Sequence, residues 1–210
     1  MCGSADAVYG LATSLIVADR ASEAGPFLDE ARALYTELGD LGGVADIVAS
    51  DAFAVVRERG LAGLASEWEH IADLYQQAGR QTQATQAVFA QAAVALAEDR
   101  LEDAQHLTRS GLARGVDLAD VVLQTWGLVI AATIELKFDN VEVAALLVGA
   151  AETQREKEGG SSALASADFF DPKTMLVERF DSDRAEELIA PGRLMDLSEA
   201  VELARPQDED

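Results

Sequence analysis

Val8-Tyr9-Gly10-Leu11-Ala12 begins a pattern that returns three more times at a constant interval. The counterparts are Val48-Ala49-Ser50-Asp51-Ala52, Val88-Phe89-Ala90-Gln91-Ala92 and Leu128-Val129-Ile130-Ala131-Ala132. Two further sets keep the same interval: Ala24, Leu64, Ala104 and Ala144, then Ala31, Ile71, Gly111 and Ala151. Small residues at fixed positions of a helical pattern mark close helix contacts. A period of roughly 20 to 50 residues is typical of stacked repeats.

The composition favours an all-α fold. The chain has 210 residues, of which 49% are hydrophobic, so it can bury a sizeable core. Ala, Leu, Glu, Arg and Gln dominate, and these residues are good helix formers. Short apolar runs also fit a helical period. We therefore predict an all-α protein, an α-α superhelix of about four helix pairs with a C-terminal helical cap.

Turn residues divide the repeats into pairs and separate them from the rest of the chain. We predict a repeat domain over residues 1–158, a flexible linker over 159–171 and a helical cap with an acidic tail over 172–210. The linker prediction depends on Gly159-Gly160-Ser161-Ser162. The predicted pairs are 5–17 with 22–38, 44–59 with 61–78, 83–98 with 101–113, and 119–136 with 141–157.

Charge argues against two classes of partner. The chain carries 38 acidic and 16 basic residues, which gives a net charge of −22. Nucleic-acid binding depends mainly on Lys and Arg that neutralise phosphates, and anionic membrane surfaces attract basic segments. We expect neither direct nucleic-acid binding nor membrane association.

The single cysteine and the N-terminus bear on location. Cys2 has no partner for an internal disulfide, and no charged segment followed by an apolar one is visible at the start. The longest apolar stretch, residues 121–136, is interrupted by Gln124 and Glu135. The expectation is a cytoplasmic protein.

The repeat resembles the tetratricopeptide helix pair. That family has a small residue at its eighth position and alanines at its twentieth and twenty-seventh, which correspond here to Ala12, Ala24 and Ala31. The unit in this chain is longer than the usual length of about 34 residues. The resemblance implies a tetratricopeptide-like solenoid.

Three further segments carry a closer resemblance: Ala33 to Asp40 (ALYTELGD), Ala144 to Glu152 (AALLVGAAE) and Gly192 to Val201 (GRLMDLSEAV). They resemble the C-terminal helical region of actinobacterial LuxR-type transcriptional regulators and regulator-associated ATPases. In such proteins the repeat region is a sensing or partner-binding module. The resemblance thus implies a non-catalytic regulatory module, and it covers most of the chain.

The chain lacks the other parts of those regulators. It has no phosphate-binding loop, since Gly79-Arg80-Gln81-Thr82 matches only the end of that motif, and no basic recognition helix follows the repeats. Two alternatives stay open: a separate regulatory subunit, or a piece of a longer regulator.

The resemblance also implies a binding surface. In tetratricopeptide-like stacks the first helix of each pair lines a concave groove, which contains one aromatic residue per repeat in this chain. The candidate partner-binding residues are Tyr9, Asp46, Phe53, Phe89, Trp126 and Thr133. Because the groove lacks Lys, Arg and Asn, an apolar partner helix or a small apolar ligand suits it better than a peptide carboxylate.

Two other interpretations of these aromatics stay open. Aromatic residues at helical spacing are typical of a packed core. Alternatively, the segment around Phe169 and Phe170 folds back and fills the groove. A homodimer through the exposed end of the solenoid is a further possible partner arrangement.

No metal, cofactor or catalytic motif emerges from the residues. His70 and His106 lie at unmatched positions of different repeats, whereas metal sites need clustered ligands. No serine or cysteine lies in a recognisable nucleophile motif. We therefore expect a protein-interaction or regulatory module rather than an enzyme. A small-molecule sensor that binds an apolar ligand in the groove is the alternative.

Overall fold

The regular structure in the described part of the chain is helical. A computed structural model describes residues 2–18, 20–158 and 170–205, and it contains no strand in these ranges. The predicted all-α class is confirmed. The helices are α1 (Cys2–Val17), α2 (Ala21–Leu38), α3 (Leu41–Arg59), α4 (Ala65–Gln77), α5 (Gln81–Ala97), α6 (Leu101–Asp117), α7 (Val121–Lys137), α8 (Val141–Lys157), α9 (Pro172–Phe180), α10 (Ser182–Ile189), a 3-10 helix (Ala190–Leu194) and α11 (Leu197–Leu203).

The chain forms two compact units, residues 1–84 and residues 85–210. The first contains α1 to α4 and the second contains α6 to α11, whereas α5 begins in the first and continues in the second. Most of the predicted linker (159–169) and the predicted acidic tail (206–210) lie outside the described residues. The superhelical course over all four pairs and the domain boundaries stay predictions.

The smallest regular unit of the fold is one helix with its turn, which is half of the repeat seen in the sequence. Helices α5, α6, α7 and α8 each have 17 residues, and they begin at the evenly spaced positions 81, 101, 121 and 141. Two positions before each of these helices, one residue has a positive φ: 73° at Gly79, 59° at Asp99, 50° at Ala119 and 69° at Asp139. Gly39 takes the same place before α3, with a φ of 66°.

One backbone hydrogen bond recurs at these turns. The N–H of Asp40 donates to the carbonyl of Tyr35 at 2.9 Å, and equivalent bonds follow at positions 80, 100, 120 and 140. This bond and the left-handed residue before it form the Schellman motif, which satisfies carbonyl groups at a helix end. The donor residue is also the one that precedes the next helix. A single residue thus ends one helix and begins the next.

The connection between α3 and α4 departs from this rule. Gly60 and Gly63 both have positive φ, 85° and 82°, and α4 begins at Ala65. The sequence predicts a start at Leu61. Because two glycines turn the backbone here, residues 61–64 belong to the loop, whereas the equivalent residues after the other turns are helical. Helix α4 therefore has only 13 residues.

The repeated positions are packing positions, as the sequence pattern predicts. Each of these side chains, and the glycine among them, is buried in its own unit. They are Ala12, Ala52, Ala92, Ala132, Ala24, Leu64, Ala104, Ala144, Ala31, Ile71, Gly111 and Ala151. At Gly111 an added Cβ would lie 2.5 Å from the ring of Phe89, so the glycine makes room for that ring.

Gly115 corrects one predicted boundary. The sequence predicts that α6 ends at Ala113 and is closed by Gly115, but the helix continues to Asp117. A Cβ at residue 115 would approach the Cβ of Leu123 to 3.3 Å. The missing side chain at Gly115 therefore lets α7 pack closely against α6. Ala119 is the residue with left-handed backbone in the turn between them.

The C-terminal cap, defined here as residues 172–205, packs on α7 and α8 within the second unit. Its inward side chains include Leu176, Ile189, Ala200 and Val201, all buried. Asp171 caps α9 by accepting from the N–H of Thr174 at 3.1 Å. At α11 a capping box is present, with the N–H of Asp196 donating to Glu199 at 3.2 Å.

We expect Ala119→Gly to stabilise the second unit. Left-handed backbone costs an alanine about 1–2 kcal/mol, and the conformational entropy of glycine offsets part of that gain. The free energy of unfolding should therefore rise by about 0.5–1 kcal/mol. Urea denaturation followed by circular dichroism measures the change.

Ala113→Gly, inside α6, the helix that ends at this turn, is the matched control. There the backbone is helical, so glycine should lower the free energy of unfolding by about 1 kcal/mol. Equal effects at residues 113 and 119 would contradict the role given to the turn.

Candidate functional site

A cavity of about 520 Å³ lies in the second unit, where α7 and α8 meet the start of the cap. We call it the cap cavity. Trp126 and Val129 of α7 and Val148 and Ala151 of α8 line it, together with Phe170 and Pro172. These side chains give the cavity a mainly apolar wall on both repeat helices and on the returning chain.

One stripe of α8 faces the cap cavity. Val148, Ala151, Glu152 and Arg155 all line it, and their spacing of three, four and seven positions places them on one side of a helix. The stripe is apolar at its N-terminal end and charged toward its C-terminal end.

Glu152 is held by two cations from the cap. It accepts from the Nζ of Lys173 at 2.6 Å and from the Nε and Nη2 of Arg193 at 3.0 and 2.7 Å. Arg193 also donates to Glu186. The bonds to Glu186 and Glu152 raise the pKa of Arg193, and the bond from Arg193 lowers the pKa of Glu186.

Two glycines allow the cap to reach this position. A Cβ at residue 192 would lie 2.1 Å from the carbonyl oxygen of Leu146, and one at residue 149 would lie 2.4 Å from that of Ile189. Only residues without a side chain permit such an approach of two backbones. The Gly149 and Gly192 contacts and the Glu152–Arg193 pair therefore fasten the cap to α8.

Asp171 has a structural task at the rim. Its carboxylate accepts from the hydroxyl and the N–H of Thr174. Burial alone would raise the pKa of Asp171. The hydrogen bonds from Thr174 and from the backbone of Lys173, with the charge of Lys173, outweigh burial and lower it.

Arg155 differs from its charged neighbours. Its side chain is exposed, and within the part of the chain that the structure describes it forms no hydrogen bond or ion pair. Of the charged residues that line the cap cavity, Glu152, Asp171 and Lys173 therefore have hydrogen-bond partners, whereas Arg155 has none among the described residues.

The predicted site residues of the second unit have different surroundings. Trp126 lines the cap cavity and packs on Phe89, with ring centroids 5.4 Å apart. Phe89 and Thr133 are 0% and 1% exposed, and the Thr133 hydroxyl donates to the carbonyl of Val129 at 2.9 Å. For Phe89 and Thr133 the structure favours the core interpretation, because neither side chain lines the cavity that Trp126 reaches.

The predicted site residues of the first unit also contact one another or the core. Tyr9 forms a hydrogen bond with the hydroxyl of Ser50 at 3.1 Å, and its ring meets that of Tyr35 edge-on. Phe53 is half-buried, and its ring packs edge-on against Trp68 at a centroid distance of 4.9 Å.

Asp46 belongs to a bond that recurs with the repeat. The hydroxyl of Tyr75 donates to Asp46 at 2.7 Å, and at the equivalent place of the preceding pair the hydroxyl of Tyr35 donates to Asp6 at 2.9 Å. Burial and the neighbouring carboxylate raise the pKa of both tyrosines. Asp46 also accepts from Arg80 at 2.8 Å. These contacts give Asp46 a structural role in the first unit.

The sequence offers one part of the cap cavity as an alternative, the return of the segment around Phe170 to a groove aromatic, here Trp126, but it does not predict the charged part. Its charged residues follow no recognisable spacing, because α8 and the cap supply them from segments that are distant along the chain. The sequence feature that could have indicated this site was the pair of motif segments Ala144–Glu152 and Gly192–Val201. The structure brings these two segments together at Gly149, Glu152 and Arg193.

Comparison of the chain with protein-family models, with curated proteins and with solved structures finds no match. In residues 2–18, 20–158 and 170–205, no cluster of three His, Cys, Asp or Glu side chains is suited to a metal ion. No helix in the same ranges is both long enough and apolar enough to cross a membrane.

Gly192→Ala should detach the cap from α8. The new Cβ would meet backbone atoms of Leu146, which cannot rotate away, so we expect a loss of about 1–3 kcal/mol in the free energy of unfolding. Urea denaturation followed by tryptophan fluorescence measures it, because Trp126 lies beside the cap.

Gly10→Ala serves as the control for this substitution. Nothing lies within 4 Å of a Cβ at residue 10, in the middle of α1, so alanine should be neutral or stabilise by up to about 1 kcal/mol. Wild-type stability of Gly192→Ala would refute the close contact.

Asp46→Ala should destabilise the first unit by about 2 kcal/mol, since it leaves the buried hydroxyl of Tyr75 without its acceptor. Asp51→Ala, in the same helix, breaks only an exposed ion pair with Arg32 and should change the free energy of unfolding by less than about 0.5 kcal/mol. Thermal and urea denaturation compare the two. If Asp46→Ala lowers the free energy of unfolding as little as Asp51→Ala does, Asp46 has no structural role.

Proposed function

We propose that this chain is a non-catalytic regulatory module that binds a small, mainly apolar molecule in the cap cavity. The combination of this volume with aromatic and aliphatic walls carries the proposal. Small-molecule sites usually measure roughly 300–1,000 Å³ and combine apolar walls with a few polar groups. The cap cavity, at about 520 Å³, combines Trp126, Val129, Val148 and Phe170 with a few charged side chains.

The polar groups of the cavity support a binding role rather than a catalytic one. Glu152 and Asp171 accept hydrogen bonds from residues of the cap, so neither carboxylate is poised as a base or nucleophile. General acid-base catalysis needs a group within reach of a substrate proton and with a pKa near the working pH. The pKa of Asp171 is lowered, which moves it away from neutral pH and so away from the value that a general acid or base needs.

The position of the cavity suggests how binding acts as a signal. The cap is fastened to α8 by Glu152 and Arg193, which lie next to the cavity wall. A molecule bound between α7, α8 and residues 170–173 contacts both the repeat helices and the cap. It therefore stabilises the docked cap relative to any state in which the cap has moved.

The wider setting is part of the same proposal. The resemblance of Ala33–Asp40, Ala144–Glu152 and Gly192–Val201 to LuxR-type regulators supports a role in cytoplasmic signalling and transcription regulation. Binding of a protein partner by the same regulatory module is the second candidate. The repeated helix pairs favour it, since such pairs commonly form partner surfaces.

Tryptophan fluorescence tests the binding role. The two tryptophans lie in different units: Trp126 in the cap cavity and Trp68 against Phe53. In Trp68→Phe, Trp126 is the only tryptophan, and we expect saturable changes in its emission when small apolar molecules are titrated. In Trp126→Phe, the emission of Trp68 should stay constant under the same titration.

The proposal is refuted if none of the small apolar probes changes the emission of Trp126 in a folded Trp68→Phe protein. Circular dichroism confirms folding of both variants. Equal changes at Trp68 and Trp126 would indicate nonspecific adsorption and would also count against the cavity.

A further inference from the structure

The charged side chains that line the cap cavity differ in their hydrogen-bond partners. The two carboxylates that line it, Glu152 and Asp171, accept hydrogen bonds from Lys173, Arg193 and Thr174. A cationic ligand would have to compete with these existing partners for either carboxylate. The cavity wall is therefore poorly suited to a cation, although the chain as a whole has a net charge of −22.

Arg155 has the opposite character. It lies on the same stripe of α8 as Val148 and Ala151, so its stem starts at the apolar wall of the cavity. Its guanidinium has no partner in the described residues. A guanidinium presents paired N–H donors that match the two oxygens of a carboxylate, and such charge-assisted bonds are roughly twice as strong as neutral ones.

The apolar wall and this guanidinium together define the ligand. Trp126 and Phe170 supply flat aromatic surface, and Val129 and Val148 supply aliphatic surface. A molecule that covers these side chains and reaches Arg155 has an apolar body and one terminal negative group. A fully apolar molecule would fill the cavity but leave the guanidinium unused.

We propose that the cap cavity binds a small monocarboxylic acid, with its apolar body against Trp126 and Phe170 and its carboxylate paired with Arg155. This inference rests on the proposed ligand-binding function and names its ligand class. The negative charge of the chain slows the approach of an anion, and added salt screens that repulsion as well as the pair itself.

Three probes with the same apolar chain test the inference: decanoate, decanol and decyltrimethylammonium. Decanoate and decyltrimethylammonium are titrated below their micelle concentrations, and decanol below its solubility limit, into the full-length Trp68→Phe protein while Trp126 emission is followed. We expect decanoate to bind most tightly and decyltrimethylammonium most weakly. Arg155→Gln in the same background should weaken decanoate binding about tenfold, the loss expected for a charge-assisted hydrogen bond, and leave decanol binding unchanged.

Lys157→Gln is the matched control. Lys157 lies on the same helix, is exposed and does not line the cavity, so its loss removes the same charge without removing a ligand contact. It should alter decanoate binding less than about twofold, as expected for a screened surface charge. Arg155→Lys should retain part of the affinity, because a lysine keeps the charge but loses the paired donors.

The outcomes separate the two proposals. If none of the three probes changes Trp126 emission, the proposed binding function fails. If decanol binds as tightly as decanoate, or if Arg155→Gln and Lys157→Gln weaken decanoate equally, the cavity binds apolar molecules without carboxylate recognition. The present inference is then overturned while the binding function stands.

Discussion

Each short turn between two helices must satisfy the last carbonyls of one helix and the first amides of the next. In this chain a left-handed residue reverses the backbone, and the residue after it bonds back to the finished helix and starts the following one. Because the arrangement repeats with helices of equal length, it sets a constant interval between the starts of α5, α6, α7 and α8. The buried small residues and the two Tyr–Asp bonds recur at twice that interval, once for each helix pair.

Local patterns were sufficient for most of this architecture. The all-α class and the burial of residues such as Ala92 and Ala132 follow from the spacing of small and apolar residues. Glycine was the weak point. Gly115 looks like a helix end, but it lies inside α6 against Leu123, and the turn uses Ala119. A glycine that ends a helix and one that admits a neighbour look alike until the neighbour is known.

The candidate site depended on contacts that spacing does not encode. Trp126 could be singled out as an aromatic at a repeat position, whereas its neighbour Phe170 comes from a segment that returns to α7 and α8 after the repeats. The docking of the cap depends on Gly149 and Gly192, which are far apart in sequence and meet through backbone contact. Motif resemblance identified both segments, but their common purpose is visible only in three dimensions.

The irregular loop between α3 and α4 has a consequence for how this chain can change in length. Inserting one residue inside α6 or α7 would rotate every later side chain on that helix by about 100° and move its apolar face away from the core. The loop formed by residues 60–64 already departs from the interval, and no Cβ at Gly60 or Gly63 would meet another atom within 4 Å. Because Leu61 and Leu64 of this loop are buried, we expect the exposed Ala62 and Gly63 to mark the point at which an insertion or a spliced tag disturbs the flanking helices least.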